Sequence, residues 1–182
     1  METPLKILHL EDNPNDFELI RETLLAGGIT AEVVNAATRA EFMSALEENS
    51  YDLILADHTL PSFDGITALS LVREKFPHLP FIFVTGTMGE EKAVETVKKG
   101  ATDYVLKQNL PRLVPSIMRA LREAEEYRKR EEAEAEVQKR IKELEDFYEM
   151  AVGRELRMMG LKEEIKDLKK ELAKYTQDQP NM

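Results

Sequence analysis

The stretch LILADHTLPSFDG, residues 53–65, leads an apolar run directly to an acidic side chain. The apolar residues 53–56 predict a strand buried on both faces, and Pro61 predicts a turn shortly after it. Asp64 stands just before a segment with helical spacing, where aspartate is a favoured N-cap. Asp57 comes too early in the chain to cap that helix. The stretch therefore predicts a strand, a turn and a helix, with a carboxylate at the strand's end that capping does not explain.

Four further apolar runs, separated by segments with helical spacing, continue this pattern through the first 121 residues. The runs are residues 5–10, 32–34, 81–84 and 104–106, and the last helical segment between them carries Ala93, Val94 and Val97. Near-continuous apolar strands that alternate with helices indicate a parallel sheet with helices on both faces. We therefore predict an α/β fold for residues 1–121, with a doubly wound, five-stranded parallel sheet.

The amino-acid composition excludes or disfavours several classes of function. Of the 182 residues 33% are charged, against about a quarter in ordinary domains. The net charge of −10 argues against binding to nucleic acid or to an anionic membrane, since both require basic surface. The absence of cysteine excludes disulfides and thiolate nucleophiles. No apolar run reaches the length of a bilayer span, and we expect a cytoplasmic protein.

Residues 122–182 have a different composition and predict a long charged helix. A heptad seam, typical of a coiled coil, runs through about residues 137–175 and is interrupted by Arg140 and Arg154. The seam residues are Val137, Leu144, Phe147, Ala151, Met158, Leu161, Ile165, Leu168, Leu172 and Tyr175. We predict a homodimer through this helix. The alternative is a single amphipathic helix folded back on the first domain, and the pattern leaves open whether the helix continues through Gly153 and Gly160.

Polar side chains stand at the ends of four predicted strands. Glu11 and Asp12 follow the first strand, Asp57 the third, Thr85 the fourth and Lys107 the fifth. The carboxyl ends of parallel strands meet at one edge of a sheet, so these side chains converge there. Three carboxylates repel one another unless a cation joins them, and Mg²⁺ prefers such oxygen ligands. Lys107 and Thr85 suit the oxygens of a phosphoryl group. Each of these residues taken alone is also typical of an ordinary structural role: the acids of helix caps, Thr85 of a turn and Lys107 of a surface charge.

These residues, together with Tyr104 three positions before Lys107, resemble the receiver domain of two-component response regulators over roughly residues 4–124. The resemblance implies a flavodoxin-like fold. It also implies that Asp57 accepts a phosphoryl group from a phosphohistidine of a sensor histidine kinase or a phosphotransfer protein. The expected magnesium ligands are Glu11, Asp12, Asp57 and the backbone carbonyl of Thr59.

The resemblance further implies the roles of the remaining site residues. Lys107 would contact the phosphoryl group, Thr85 would follow it by a hydrogen bond, and Tyr104 would change rotamer as Thr85 moves. Such a protein is not an enzyme for an external substrate and catalyses only its own phosphorylation and dephosphorylation. Residues 83–91 are similar to receivers of hybrid sensor-kinase systems. One position departs from the family: Gln108 replaces a frequent proline, and we expect a trans peptide there.

Other interpretations of the same residues predict other proteins. One alternative is a receiver-shaped scaffold that dimerises through its helix and is never phosphorylated. A phosphatase or phosphotransferase working through an aspartyl-phosphate is another, but Thr59 stands where one such family has its second aspartate. No histidine follows His78, so the long helix is not the phosphoaccepting helix of a histidine kinase. His9, inside an apolar run, is predicted to be a core residue with its hydrogen bonds satisfied.

Overall fold

The computed structural model describes residues 4–48, 50–61, 63–86 and 96–177, with side chains of the last helix described to residue 170. The elements are β1 (Leu5–Leu10), α1 (Pro14–Ala26), β2 (Ala31–Ala36), α2 (Arg39–Glu48), β3 (Leu53–Ala56), α3 (Gly65–Lys75), β4 (Phe81–Thr85), β5 (Asp103–Leu106), a 3-10 helix (Lys107–Arg112) and a C-terminal helix (Leu113–Gln177). The predicted helix at Ala93 and Val94, residues 87–91 of the hybrid-receiver segment, and the side chains of Leu172 and Tyr175 lie outside the described part.

The five strands form one parallel sheet in the order β2-β1-β3-β4-β5, which confirms the predicted architecture. Strand order reverses at β1, which pairs with β2 on one side and with β3 on the other. Leu10 pairs with Ala36 and with Ala56, so β1 and β3 end at the same level. The backbone N–H of Asp57 donates to the carbonyl of Leu10 at 2.9 Å. Glu11 and Asp57 therefore leave neighbouring strands side by side, at the switch point of the sheet.

The sheet is buried on both faces, which explains why its strands are continuously apolar. Successive residues alternate between two cores: Leu8 faces one and Ile7 the other. The first core contains Phe42 of α2 and Leu69 of α3. The second contains α1 side chains and the start of the C-terminal helix, namely Ile20, Leu24, Leu113, Ile117 and Ala120. The first turns of the C-terminal helix are thus part of the core of the α/β domain.

The Asp64-Gly65 pair joins α3 to the carboxyl end of β3. The Asp64 side chain caps the helix by accepting a hydrogen bond from the Thr67 N–H at 2.8 Å, as predicted. A Cβ on Gly65 would collide with the backbone oxygen of Asp57 and would lie 2.6 Å from the ring of Phe83. Glycine is therefore required here because the start of α3 approaches the Asp57 backbone closely.

The chain divides into two compact units, Met1–Lys129 and Arg130–Met182. The first contains the sheet and the beginning of the C-terminal helix, where the Tyr127 ring stacks on His78 at 3.7 Å. The predicted boundary between residues 121 and 122 stays a prediction. The described part of the chain includes no helix long and apolar enough to cross a membrane.

In the second unit the structure describes the C-terminal helix as far as Gln177, and this helix includes Gly153 and Gly160 without interruption. The heptad-seam side chains that the structure describes, from Val137 to Leu168, are exposed in the single chain; Leu144, for example, is 58% exposed. The coiled coil itself stays a prediction.

Candidate functional site

Lys107 is the centre of the site. It follows β5 directly and begins the 3-10 helix. Its ammonium donates hydrogen bonds to Glu11 Oε2 at 2.7 Å, Asp16 Oδ2 at 2.6 Å and Asp57 Oδ2 at 2.8 Å. The Lys107 side chain is only 12% exposed, so these ion pairs are screened less than surface pairs. An ammonium has three N–H groups, and each of them has a carboxylate partner here.

The three carboxylates differ in burial but lie close together. Their side chains are 1%, 30% and 14% exposed for Glu11, Asp16 and Asp57 respectively. One oxygen from each lies within 4.8 Å of the others, a grouping that can hold a metal ion. Burial raises the pKa of Glu11, although its hydrogen bond to Lys107 opposes that change. Burial alone would lower the pKa of Lys107, but its bonds to Asp16, Asp57 and Glu11 outweigh burial and raise it. The site thus retains a positive charge among its acids.

Asp57 is held at both carboxylate oxygens. Oδ2 accepts from Lys107, and Oδ1 accepts from the backbone N–H of Thr59 at 3.2 Å. Glu11 is held in the same manner, since its Oε1 accepts from the backbone N–H of Asn13 at 3.0 Å. The loops after β1 and β3 therefore orient the two acids that those strands deliver.

The structure brings together three of the predicted site residues, Glu11, Asp57 and Lys107, and adds Asp16. The sequence pattern did not single out Asp16, because an acid in the first turn of a helix is an ordinary feature. No spacing in the sequence points to it, since Asp16 lies on α1 and reaches Lys107 through the packing of that helix. Asp12 is exposed and is not a member of the group of three. The roles of Asp12 and of the Thr59 carbonyl as metal ligands stay predictions.

Thr85 and Tyr104 lie on the adjacent strands β4 and β5. Thr85 is buried at the end of β4, where it pairs in register with Leu106. Tyr104 is half-buried against the first core, and the Arg112 guanidinium lies 5.5 Å from its ring centroid. The two residues thus stand beside the strand end that leads into Lys107, and their switch roles stay predictions.

Asp103 is a buried acid that the sequence pattern also did not single out. It begins β5 and forms ion pairs with Arg119 at 2.7 Å and with Arg112 at 3.4 Å, and it accepts the hydroxyl hydrogen of Ser116. The residues before it are typical of an ordinary turn that leads into a strand, and such a pattern does not predict ion pairs. These contacts tie β5 to the first turns of the C-terminal helix.

His9 corrects one prediction. It is fully buried in β1, as expected, but neither ring nitrogen has a hydrogen-bond partner among the described residues. The prediction of satisfied hydrogen bonds is therefore wrong, because the buried ring stacks against the apolar Phe17 of α1, with 5.7 Å between the ring centroids. Burial, followed by the charge of Lys107, lowers the pKa of His9 to about 3.

The peptide bond after Lys107 is trans, as predicted, since the described residues contain no cis peptide. The 3-10 helix therefore starts at Lys107 without the cis-proline turn that is frequent in the family the chain resembles. This difference affects the loop, and the Lys107 ammonium still contacts Asp57 Oδ2 at 2.8 Å.

Comparisons with known proteins identify the family to which the α/β domain belongs. The model of the response regulator receiver domain matches residues 7–118, more than half of the chain. The transcriptional regulatory protein RprY of Bacteroides fragilis is 36% identical over 126 residues, which are 67% of this chain and 52% of RprY. The response regulator protein FleR of Pseudomonas aeruginosa is 34% identical over 102 residues, 56% of this chain and 21% of FleR. The chain thus spans about a fifth to about a half of these curated relatives.

Solved structures of response regulators also resemble this chain. A response regulator receiver domain protein from Clostridium thermocellum is 26% identical with a TM-score of 0.59, and the match covers 66% of this chain and 97% of that one. A response regulator from Chloroflexus aurantiacus is 26% identical with a TM-score of 0.60, over 65% of this chain and 98% of its own. The chain belongs to the response regulator receiver-domain family.

Proposed function

We propose that this protein is a phosphoacceptor response regulator in which Asp57 receives a phosphoryl group from a phosphohistidine of a sensor kinase or a phosphotransfer protein. The supporting observation is the contact between the Lys107 ammonium and Asp57 Oδ2 at the switch point of the sheet. The Asp57 side chain is 14% exposed, so a donor can reach it from the edge of the sheet. In the reaction an Asp57 oxygen forms a P–O bond while the P–N bond of the donor breaks and imidazole leaves.

The donor set suits Mg²⁺, because three carboxylates converge and no softer ligand takes part in that group of described residues. We propose that Glu11 and Asp57 of this group hold the ion together with Asp12 and the backbone carbonyl of Thr59, which lie in the loops after the same two strands. When bound, Mg²⁺ neutralises charge on the phosphoryl oxygens.

The remaining residues act on the phosphoryl group and on the signal. Lys107 pairs with a phosphoryl oxygen, because its ammonium already lies against Asp57. Thr85 donates its hydroxyl hydrogen to another oxygen, and Tyr104 then changes rotamer beside it. Positioning and charge neutralisation supply the catalysis, as in other phosphoryl transfers.

The output that we propose is a dimeric coiled coil of the C-terminal helix. The route to it begins at Lys107, because the 3-10 helix runs from this residue to Arg112 and continues into the C-terminal helix. Arg112 also contacts both Tyr104 and Asp103. A change at Asp57 therefore reaches the first turns of the helix through two neighbouring contacts. The heptad seam gives the helix an apolar face for a second copy. We propose the cytoplasm as its location.

A labelling experiment tests this function. The full chain is incubated with a small acyl phosphate donor, with Mg²⁺ or with EDTA, and the phosphorylated residue is identified by mass spectrometry. We expect labelling that requires Mg²⁺ and disappears in Asp57→Asn. Asp64→Asn is the matched control, because asparagine caps helices as well as aspartate does and the acid lies outside the site. Labelling that persists in Asp57→Asn contradicts the assignment, and a chain that is never labelled supports the dimeric scaffold instead.

A further inference from the structure

Asp16 differs from the other two acids that hold the Lys107 ammonium. Glu11 and Asp57 follow strands of the sheet and belong to the proposed magnesium site, whereas Asp16 lies in the first turn of α1. Its Oδ2 accepts from the ammonium at 2.6 Å, beside contacts of 2.7 and 2.8 Å to the other two acids. Each of the three acids thus occupies one N–H of Lys107, but only two of them are proposed to bind the ion.

Binding of Mg²⁺ places a second cation among these acids. In the proposed site the ion takes Glu11 and Asp57 as ligands, and it repels the nearby ammonium. Phosphoryl transfer then converts one Asp57 oxygen into the bridging oxygen of an acyl phosphate, so Lys107 exchanges its bond to Asp57 for a bond to a phosphoryl oxygen. Asp16 stands outside the proposed ligand set. Its bond to Lys107 is therefore the one of the three that neither the ion nor the phosphoryl group takes away.

The position of the ammonium needs such a contact because lysine is flexible. The charge stands on a four-carbon stem, so its place is defined only where other groups hold it. The side chains of Lys107 and Asp16 are 12% and 30% exposed, and water screens their pair less than a pair on the open surface. Asp16 is in turn fixed by the packing of α1, since the next residue, Phe17, stacks on the buried His9 of β1.

We propose that Asp16 is a positioning residue for phosphoryl transfer, which holds the Lys107 ammonium beside Asp57 while Mg²⁺ occupies the other acids of the site. This inference rests on the proposed function and on its ion site. Asp16 touches neither the ion nor the phosphoryl group in this arrangement, and it acts through Lys107. An ammonium held in advance requires no reorganisation when the phosphoryl group arrives.

The rate of Asp57 labelling at saturating Mg²⁺ tests this role. We expect Asp16→Asn to be labelled about tenfold more slowly than the wild type, because asparagine lacks the charge that holds the ammonium and a misplaced group slows a reaction steeply. Asp16→Glu keeps the charge, and the partly exposed position has room for a longer side chain, so it should recover most of the rate. Glu18→Gln is the matched control, because it removes a negative charge from the same helix at an exposed pair with Arg21. Its rate should stay within about twofold of the wild type.

The labelling rates separate this role from two others. A charge effect alone predicts faster labelling of Asp16→Asn, since the loss of a negative charge favours the approach of an anionic donor. A purely structural contact predicts an unchanged rate in variants that circular dichroism shows to be folded. Either result, or an Asp16→Glu variant as slow as Asp16→Asn, overturns the inference and leaves the phosphoacceptor in place. A wild type that is not labelled at Asp57 contradicts the proposed function itself.

The NMR signals of the Lys107 side chain test the contact without any phosphoryl transfer. The full chain is made with lysine labelled with ¹³C at the ε carbon, and Lys107→Arg identifies the signals by their loss. Rotamer exchange within nanoseconds, as in an exposed lysine, averages the signals of the two ε hydrogens, whereas a held lysine shows two. We expect two signals for the wild type both in EDTA and in saturating Mg²⁺. For Asp16→Asn we expect two in EDTA and one in Mg²⁺, because the ion then takes the remaining acids.

The outcomes in Mg²⁺ decide whether Asp16 holds the ammonium. Two signals for Asp16→Asn, or one signal for the wild type, overturns the inference. A wild type in which Mg²⁺ shifts no backbone signal of residues 11–16 and 57–59 contradicts the proposed ion site, and the inference falls with it.

Discussion

Asp16 Oδ2 lies 2.6 Å from Lys107 Nζ, so an acid from the first turn of α1 and the cation that follows β5 meet at the edge of the sheet. The same ammonium holds Glu11 and Asp57 at 2.7 and 2.8 Å. One positive charge thus offsets three carboxylates that would otherwise repel one another. The stability of this edge depends on Lys107, apart from any role in phosphoryl transfer.

Replacing Lys107 by methionine should destabilise the fold, because the carboxylates lose the cation between them. We expect a loss of about 2–4 kcal/mol in EDTA, somewhat below the cost of breaking a fully buried pair since the site is partly exposed. Chemical denaturation with and without Mg²⁺ measures it, and Mg²⁺ should recover more stability in the variant than in the wild type. Lys75→Met removes only the exposed pair with Glu47, 3.6 Å away, and should change stability by about 0.5 kcal/mol or less. Equal losses in the two variants would contradict this account of the site.

Gly65→Ala should impair both stability and labelling. The added Cβ meets the Asp57 backbone oxygen, so either α3 or the phosphoacceptor must move. We expect a loss of about 1–3 kcal/mol, the usual cost of overpacking, together with slower labelling of Asp57. Thermal and chemical denaturation measure the stability. Gly86→Ala is the control for stability, because a Cβ there has no heavy atom within 4 Å among the described residues. A Gly65→Ala variant as stable as Gly86→Ala would show that the helix adjusts freely.

The strand-end residues Asp57 and Lys107 could be found from the sequence because two rules apply to them. Apolar runs mark the strands, and parallel strands deliver their ends to one edge. Asp16 could not be found by those rules, since it lies on a helix and reaches the site only through the packing of α1. Asp103 was missed because its contacts with Arg112, Ser116 and Arg119 depend on how the next two helices pack against β5, which the sequence pattern does not specify. Whether the ring nitrogens of His9 have hydrogen-bond partners depends on which side chains pack around β1, and the periodicity of the sequence does not specify this.

Asp103→Asn should loosen the first turns of the C-terminal helix. The buried carboxylate loses its charge and with it the full strength of the pairs with Arg119 and Arg112. We expect a loss of about 1–3 kcal/mol and faster amide hydrogen exchange in residues 113–120, because these contacts join β5 to that segment. Hydrogen exchange followed by mass spectrometry measures it. Glu123→Gln, an exposed acid on the same helix, is the control and should have an effect within about 0.5 kcal/mol. Unchanged exchange in Asp103→Asn would mean that the apolar contacts of Ile117 alone hold the helix.

His9→Leu should make the protein more resistant to acid. The folded state lowers the pKa of His9 to about 3 from 6.5, so below the higher value the unfolded chain binds a proton that the folded chain rejects. Stability is therefore lost as the pH falls from 6.5 toward 3, by up to about 1.4 kcal/mol for each pH unit. Leucine cannot bind this proton, and it also removes two unpaired nitrogens from the core. Urea denaturation at pH 8 and at pH 5 should show a gain for the variant that is larger at pH 5. A gain that is the same at both pH values would show that the His9 ring is protonated, or reaches water, in the folded protein.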